Sequence, residues 1–395
     1  MSSCIMTVDI FAEMCSFMCG LFNHVPLLLF STQIIGRLAL KLCEKKESSA
    51  QKSNVIAFVH FNILWTSEPL QSSANAHLLG QKCGQQSGDF LYASINWIMS
   101  ITTSYVAGQS IVTVQENCRD FIREMQRLNS HAFFGSAILL HSQCLVLKEG
   151  LAVLDAEAAD NIPTERDLVA SAEFGKDKVL VLVYKIYQLV RAFLFRQLDE
   201  ESLDNFNVLG TISEEKHPLR PGALLGIFFE GLTCFQFARQ SNNDERSKWM
   251  EKGETVLEKM KLWSQHSSWN FENKMLLLEA EKMHTLGDFD SAASFYERSV
   301  RSAREHKFIH EEAIASELAG LFYLERGLRE KSLHLFLHSI WSYKTWGALA
   351  VAKRVETFIE SKFGSVVMQV VPSQDTFDCL FDSSEDASKK RQVRE

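Results

Sequence analysis

Apolar and polar residues alternate with a helical period along most of this chain, and the pattern is strongest between residues 270 and 347. Apolar residues there recur at spacings of three and four, which places them on one face of a helix. The pattern breaks at Gly287 and again at Gly327, 40 residues later. The helix after each break carries small and aromatic residues in the same order: Ala292, Tyr296 and Ser299, then Ser332, Phe336 and Ser339. A fixed period of this size predicts a stacked array of helix pairs.

The same turn chemistry occurs in the N-terminal part of the chain. Gly88-Asp89-Phe90 matches Gly287-Asp288-Phe289, and Ala93, Trp97 and Ser100 follow it at the spacings already described. Glycine ends a helix readily because it adopts positive φ at low cost, and aspartate caps the start of the next one.

The helical pattern divides the chain into five parts. Residues 23–154 predict N-terminal helical repeats, and residues 179–363 predict C-terminal repeats of the tetratricopeptide type. The polar stretch 155–178 predicts a loop between repeats or a short surface helix. No element is assigned to residues 1–22, and the charged tail 364–395 predicts disorder. The chain is therefore predicted to be all-α: a right-handed α-solenoid of stacked antiparallel helix pairs with a period of about 40 residues.

Charge and cysteine usage narrow the class of protein. The net charge is −8 and the basic residues form no stripe, which argues against nucleic acid as a partner. The nine cysteines are scattered with no C-x-x-C pair, so free thiols in a reducing, cytoplasmic location are expected. The apolar run 14–30 is interrupted by Asn23, His24 and Pro26, and no basic residue precedes it. A membrane anchor is therefore not expected.

Sequence motifs that would indicate catalysis or the binding of a phosphate or a metal ion are absent or incomplete. The sequence contains no G-x-G for a phosphate loop and no G-x-S-x-G around a nucleophile. Two histidine pairs, His306/His310 and His334/His338, have the spacing of metal ligands on a helix, but no third ligand accompanies them, and an outward, solvated orientation is expected. Helix capping and surface pairing are expected to explain three carboxylates: Glu311, Glu312 and Glu317. We therefore expect no catalytic, cofactor-binding or metal-binding residues.

A groove on the concave side is the candidate functional surface. In this repeat type the first helix of each pair lines that side, and a mixed apolar and charged groove suits a partner helix or an extended peptide. The predicted groove residues are Lys274, Leu277, Glu281, His284, Glu317, Leu321 and Leu324. For Leu277 and Leu321, packing on the neighbouring hairpin is an equally good interpretation.

The region from Leu257 to Val355 resembles the helical-repeat segment of large multi-sensor signalling ATPase–kinases, which combine serine/threonine kinase-like, ATPase, sensor and histidine kinase modules. The resemblance rests mainly on Trp263, Asn270-Phe271, Glu279-Ala280-Glu281, Leu286-Gly287, Tyr296, His310-Glu311-Glu312-Ala313, Glu317-Leu318-Ala319, Phe322-Tyr323, Gly327 and Tyr343-x-x-Trp346-Gly347-Ala348. Gly88-Asp89-Phe90 extends it toward the N-terminus.

The family's kinase, ATPase and sensor modules have no counterpart in this sequence, so none of its catalytic residues can be assigned here. The resemblance implies a non-catalytic helical scaffold that binds a protein or peptide partner in a signal-transduction system. The alternative is a fragment of a larger multi-domain signalling kinase whose catalytic modules lie outside this chain. The identity of the partner and the oligomeric state remain open.

Overall fold

A computed structural model describes residues 26–44, 49–131, 133–155, 162–198, 208, 210 and 220–364. Fifteen α-helices and a few short 3₁₀ turns make up the regular structure of these residues, and they include no strand, which confirms the all-α prediction. The helices are α1 Pro26–Glu44, α2 Ser49–Asn62, α3 Leu70–Ser87, α4 Phe90–Val106, α5 Ile111–Arg127, α6 Phe134–Glu149, α7 Glu165–Ala170, α8 Lys178–Leu194, α9 Pro221–Gln240, α10 Asn243–His266, α11 Ser268–Leu286, α12 Phe289–Glu305, α13 Ile309–Glu325, α14 Arg329–Trp346 and α15 Leu349–Phe363.

The helices pack as neighbouring pairs. In two of these pairs, α3–α4 and α11–α12, one of the predicted turns joins the first helix to the second. Gly88 and Gly287 end the first helix of each pair with φ of 76° and 82°. Asp89 and Asp288 then accept hydrogen bonds from backbone N–H groups in the first turn of the second helix. The turn chemistry predicted from the sequence is confirmed at both positions.

The same two pairs share a further hydrogen bond. The Ser100 hydroxyl donates to the carbonyl of Ala74 (3.0 Å), and the Ser299 hydroxyl donates to the carbonyl of Asn273 (2.9 Å). Both bonds cross from the second helix of the pair to the first, and both span 26 residues. A small hydroxyl residue therefore allows close approach of the helices and satisfies a buried carbonyl there.

The N-terminal and C-terminal helices share one buried core. Beyond the contacts between neighbours, α4 packs against α9 and α6 packs against α15. The rings of Tyr105 and Trp346 lie 6.0 Å apart, centre to centre, across this junction. The Asn270 side chain bonds the backbone of Leu70, 200 residues away. These contacts are additional to those that a solenoid of neighbouring repeats requires.

Helix α9 is the only helix in the described ranges that is long and apolar enough to cross a membrane, and 83% of its apolar stretch is buried inside the protein. Burial on all sides explains why its sequence is apolar almost all round.

One loop prediction is corrected, and for residues 155–178 the short-helix alternative is confirmed. The polar composition of residues 45–53 predicts a loop, but α2 begins at Ser49. Within 155–178 lies α7, where Thr164 and Asp167 form a capping box and the buried Glu165 pairs with Arg191 through two hydrogen bonds. Glu165 is therefore buried through its ion pair with Arg191, which the apolar periodicity of the sequence does not indicate. The helical pattern also predicts a helix over residues 199–209, of which only residue 208 is described. Residues 1–22 and the tail 365–395 lie outside the described residues as well.

Candidate functional site: an arginine-lined cavity

A cavity of about 650 Å³ opens between alternate helices of the C-terminal part. Its walls come from α9, α11, α13 and α15, together with the segment after α8 and parts of α10, α12 and α14. We call it the arginine cavity because four arginines line it. Its charged and polar lining consists of Arg196, Arg239, Arg246, Arg354, Glu281, Glu317, Glu325, His284, Gln236, Gln240, Thr285 and Tyr296. Its volume falls in the range of ordinary ligand sites.

One end of the cavity is organised around the carboxylate of Glu281. Arg239 on α9 donates to it at 2.6 Å, and the Tyr296 hydroxyl donates to it at 2.5 Å. Arg239 also reaches the hydroxyl of Thr285. Burial raises the pKa of Tyr296 well above its usual value, and the adjacent Glu281 raises it further. Tyr296 therefore remains a neutral hydrogen-bond donor.

The other end is organised around Glu317 on α13. Arg196 and Arg354 each donate to its carboxylate, at 2.6 and 2.7 Å, and the Tyr343 hydroxyl donates at 3.0 Å. Burial raises the pKa of Glu317, but Arg354 and Arg196 outweigh burial and lower it to about 2. One carboxylate thus neutralises only one of two guanidinium groups.

Arg246 and His284 make three further polar contacts in the lining. Arg246 on α10 donates to the backbone carbonyl of Thr285 at 2.6 Å. His284 lies 3.0 Å from the carboxylate of Glu325 and 3.3 Å from the hydroxyl of Tyr296. The hydrogen bond from His284 lowers the pKa of Glu325.

The lining carries an excess of positive charge. Four arginines face three glutamates in this lining. The Nε atom of Arg354 is buried with no hydrogen-bond partner among the described residues. Leu318, Leu321, Phe336 and Phe358 add apolar surface. Because guanidinium groups bind carboxylates through directed hydrogen bonds, this lining is suited to an acidic ligand that also carries apolar side chains.

The predicted groove residues fall into two groups. Glu281, His284, Glu317 and Leu321 all line the arginine cavity, although they come from two helices. Leu277 is buried in the core, so the packing interpretation holds for it. Leu324 is half-buried and packs against the same core without lining the cavity.

Lys274 is a predicted groove residue, but it is buried and does not line the arginine cavity. Its ammonium group lies 2.8 Å from the carboxylate of Glu311 and donates to the carbonyl of Asn270 at 2.8 Å. It also lies 4.2 Å from the ring centre of Phe308. Glu311 is 2% exposed, so the expectation that it caps a helix at the surface is wrong. A buried cation requires a buried anion, and helical periodicity alone does not reveal such pairs.

The outward orientation expected for the histidines is wrong for two of them. His338 is buried and lies 2.8 Å from the carboxylate of Glu312, which also pairs with Arg304 at 2.8 Å. His310 is buried against Trp346, and burial lowers its pKa to about 4. Glu312 and Glu317, predicted as surface carboxylates, are likewise buried. In each case a neighbouring helix covers the face that the sequence pattern assigned to solvent.

The arginines of the cavity were not predicted from the sequence. Arg239 pairs with Glu281 across 42 residues and Arg354 pairs with Glu317 across 37, each close to one repeat length. One 40-residue repeat before Glu281 and one after Glu317 fall at Ser241 and Thr357, so periodicity indicates only the neighbourhood of the two arginines. Arg196 lies 121 residues before Glu317, about three repeats away, and contacts between neighbouring repeats do not predict a pair at that separation.

In the described part of the chain, no group of three or more histidine, cysteine, aspartate or glutamate side chains is placed to hold a metal ion. Comparison with protein-family models, curated proteins and solved structures gives no match to this chain.

Proposed function

We propose that this protein is a non-catalytic helical-repeat scaffold that binds an acidic segment of a partner protein in the arginine cavity, within a cytoplasmic signal-transduction system. The observation that carries the proposal is the sharing of Glu317 between Arg196 and Arg354. Two guanidinium groups on one carboxylate leave positive charge in a partly enclosed cavity. A carboxylate from a partner would restore the balance.

The proposal includes a tetratricopeptide-type arrangement of α9 to α15, as a right-handed solenoid. Two features support it: the 40-residue offset between Gly287 and Gly327, and the contacts of α11 with both α9 and α13. In such an array the first helices of successive pairs lie side by side on the concave surface. Residues of α9, α11, α13 and α15 line one cavity, as that arrangement requires.

Binding of labelled peptides tests the acidic-partner proposal. A short peptide rich in aspartate and glutamate, with interspersed leucine and phenylalanine, is compared with its asparagine and glutamine counterpart by fluorescence anisotropy. We expect the acidic peptide to bind more tightly and its affinity to fall as salt is raised, because exposed charges are screened.

Arg246→Glu is the most informative variant, because Arg246 lines the cavity and its contact is with a backbone carbonyl. Arg127→Glu, on the exposed surface of α5, makes the same change in net charge and serves as the control. We expect loss of binding by about tenfold or more in Arg246→Glu, one charged contact being worth about 1.5–3 kcal/mol, and little change in Arg127→Glu. Equal binding of the acidic and neutral peptides, or equal affinities of the two variants, would overturn the proposal.

The alternative proposal is that this chain is a segment of a larger signalling kinase. The resemblance of residues 257–355 supports it. Sequencing the full transcript on both sides of this reading frame tests it: continuous kinase or ATPase coding sequence would favour this alternative, and its absence would reject it.

A further inference from the structure

The chain itself contains a segment with the chemistry that the arginine cavity favours. Residues 375–386 read DTFDCLFDSSED and carry five acidic side chains and no basic one. Three large apolar residues, Phe377, Leu380 and Phe381, lie among the charges. We propose that this segment occupies the arginine cavity of its own chain and competes with the acidic segment of a partner. The inference deepens the proposed function and rests on it for the identity of the site.

The position of α15 makes this contact possible. Arg354, Val355 and Phe358 on α15 line the cavity, and the helix ends at Phe363, twelve residues before Asp375. From Phe358 to Gly364 the helix advances by about 9 Å, at about 1.5 Å per residue. The connecting residues 365–374, when extended, span up to about 33 Å at about 3.3 Å per residue. The acidic segment therefore has enough chain to fold back into the cavity.

Charge complementarity selects this segment as the occupant. The whole chain carries a net charge of −8, but the cavity lining has four arginines against three glutamates. The run that follows the acidic segment, Lys389-Lys390-Arg391, has the opposite charge and does not suit the cavity. The apolar residues of the segment match Leu318, Leu321, Phe336 and Phe358 in the wall.

Tethering makes such a contact an effective competitor. A segment attached by a short connector has an effective concentration on the order of millimolar at its own site. A weak intrinsic affinity is then sufficient to occupy the cavity and to raise the apparent dissociation constant of a partner. Binding of a partner would consequently require displacement of residues 375–386.

The test uses the full chain with the segment neutralised: Asp375→Asn, Asp378→Asn, Asp382→Asn, Glu385→Gln and Asp386→Asn together. The matched control neutralises Lys389, Lys390 and Arg391 to glutamine. We expect the first variant to bind the acidic probe peptide about tenfold more tightly than the native chain, because an effective concentration on the order of millimolar is removed. The control is expected to bind the probe as the native chain does.

Hydrogen exchange gives a second, partner-independent measurement. Backbone amides of 375–386 are expected to exchange faster in the Arg246→Glu variant and unchanged in Arg127→Glu. The intramolecular contact is rejected if the acidic probe binds equally to the native chain and to the variant with the neutralised segment, and if Arg246→Glu does not change hydrogen exchange in residues 375–386. The proposed function stands in that case. If no acidic probe binds at all but exchange responds to Arg246→Glu, the partner proposal fails and the intramolecular contact stands.

Discussion

Gly108, just after α4, lies directly against the imidazole ring of His310 in the first turn of α13. Gly108 has φ of 78°, and a Cβ atom built on it would overlap Nδ1 of His310. On its other side His310 faces Trp346, with ring centres 5.2 Å apart. Close approach of these three residues joins the N-terminal helices to the C-terminal ones.

Replacement of Gly108 by alanine tests this junction. Gly88→Ala is a matched control because Gly88 has nearly the same φ, 76°, but no atom within 4 Å of the added methyl group. Gly88→Ala is expected to lower the free energy of unfolding by about 1 kcal/mol through backbone strain. Gly108→Ala should cost about 1–3 kcal/mol more, because overpacking is added to the strain. Equal effects in urea unfolding would mean that the His310 contact is unimportant for stability.

Asn270 ties α11 to the turn before α3. Its side-chain oxygen accepts from the N–H of Leu70 at 3.1 Å, and its amide group donates to the carbonyls of Trp65 and Glu68 at 2.6 and 2.7 Å. Asn270→Ala should destabilise the protein by about 3–5 kcal/mol, because each buried polar group left without a partner costs about 1–3 kcal/mol. Asn117→Ala, which removes an exposed bond within α5, should change stability by less than about 0.5 kcal/mol. Urea unfolding of both variants measures the difference in the free energy of unfolding. A loss in Asn270→Ala as small as that in Asn117→Ala would show that the Asn270 hydrogen bonds do not stabilise this junction.

Lys274 and Glu311 form an ion pair in which both side chains are buried. Lys274→Met alone should cost about 3–5 kcal/mol in unfolding free energy, because Glu311 is left as an uncompensated buried charge. The double variant Lys274→Met/Glu311→Leu should be more stable than the single one, since removal of both charges avoids that penalty. Lys261→Met, at a half-exposed pair with Glu258 and Glu279, should cost less than about 1 kcal/mol. A single variant as stable as the double would show that Glu311 finds another partner.

The pH dependence of stability should report on Glu317. Its pKa in the folded protein is about 2, below the ordinary value of 4.5, so its stabilising contribution is full above pH 4.5 and is lost as the pH falls toward 2. Glu317→Gln should lower the free energy of unfolding at pH 7 by about 3 kcal/mol, since one pKa unit corresponds to about 1.36 kcal/mol. The difference between native protein and variant should shrink as the pH falls through that window.

Glu124→Gln serves as the control for that measurement. Glu124 also pairs with an arginine, but on the exposed surface of α5, so its removal should have a small effect at every pH. A difference between the native protein and Glu317→Gln that stays constant from pH 7 to pH 3 would mean that Glu317 is not the group that titrates.

Much of the fold was predictable from the sequence because helix periodicity and turn chemistry are local. Gly287 and Asp288 end one helix and begin the next through contacts within a few residues, so the pattern alone indicated both. Small residues such as Ala292 and Ser299 were assigned correctly to the packed face for the same reason. The buried carboxylates Glu311, Glu312 and Glu317 could not be placed in this way, because a helix covered on both sides has no polar face.

The tertiary structure alone decided which charges meet. Arg196 and Glu317 are separated by 121 residues, about three repeats, and stacking of neighbouring repeats does not predict a contact over that separation. Their pairing depends on where the end of α8 lies against α13, which is set by the packing of the whole core. The sequence by itself determined the helices, the turns between them and the residues that allow close packing. Only the tertiary structure placed four arginines around one cavity, because ion pairs between distant helices depend on position in space and not on position along the chain.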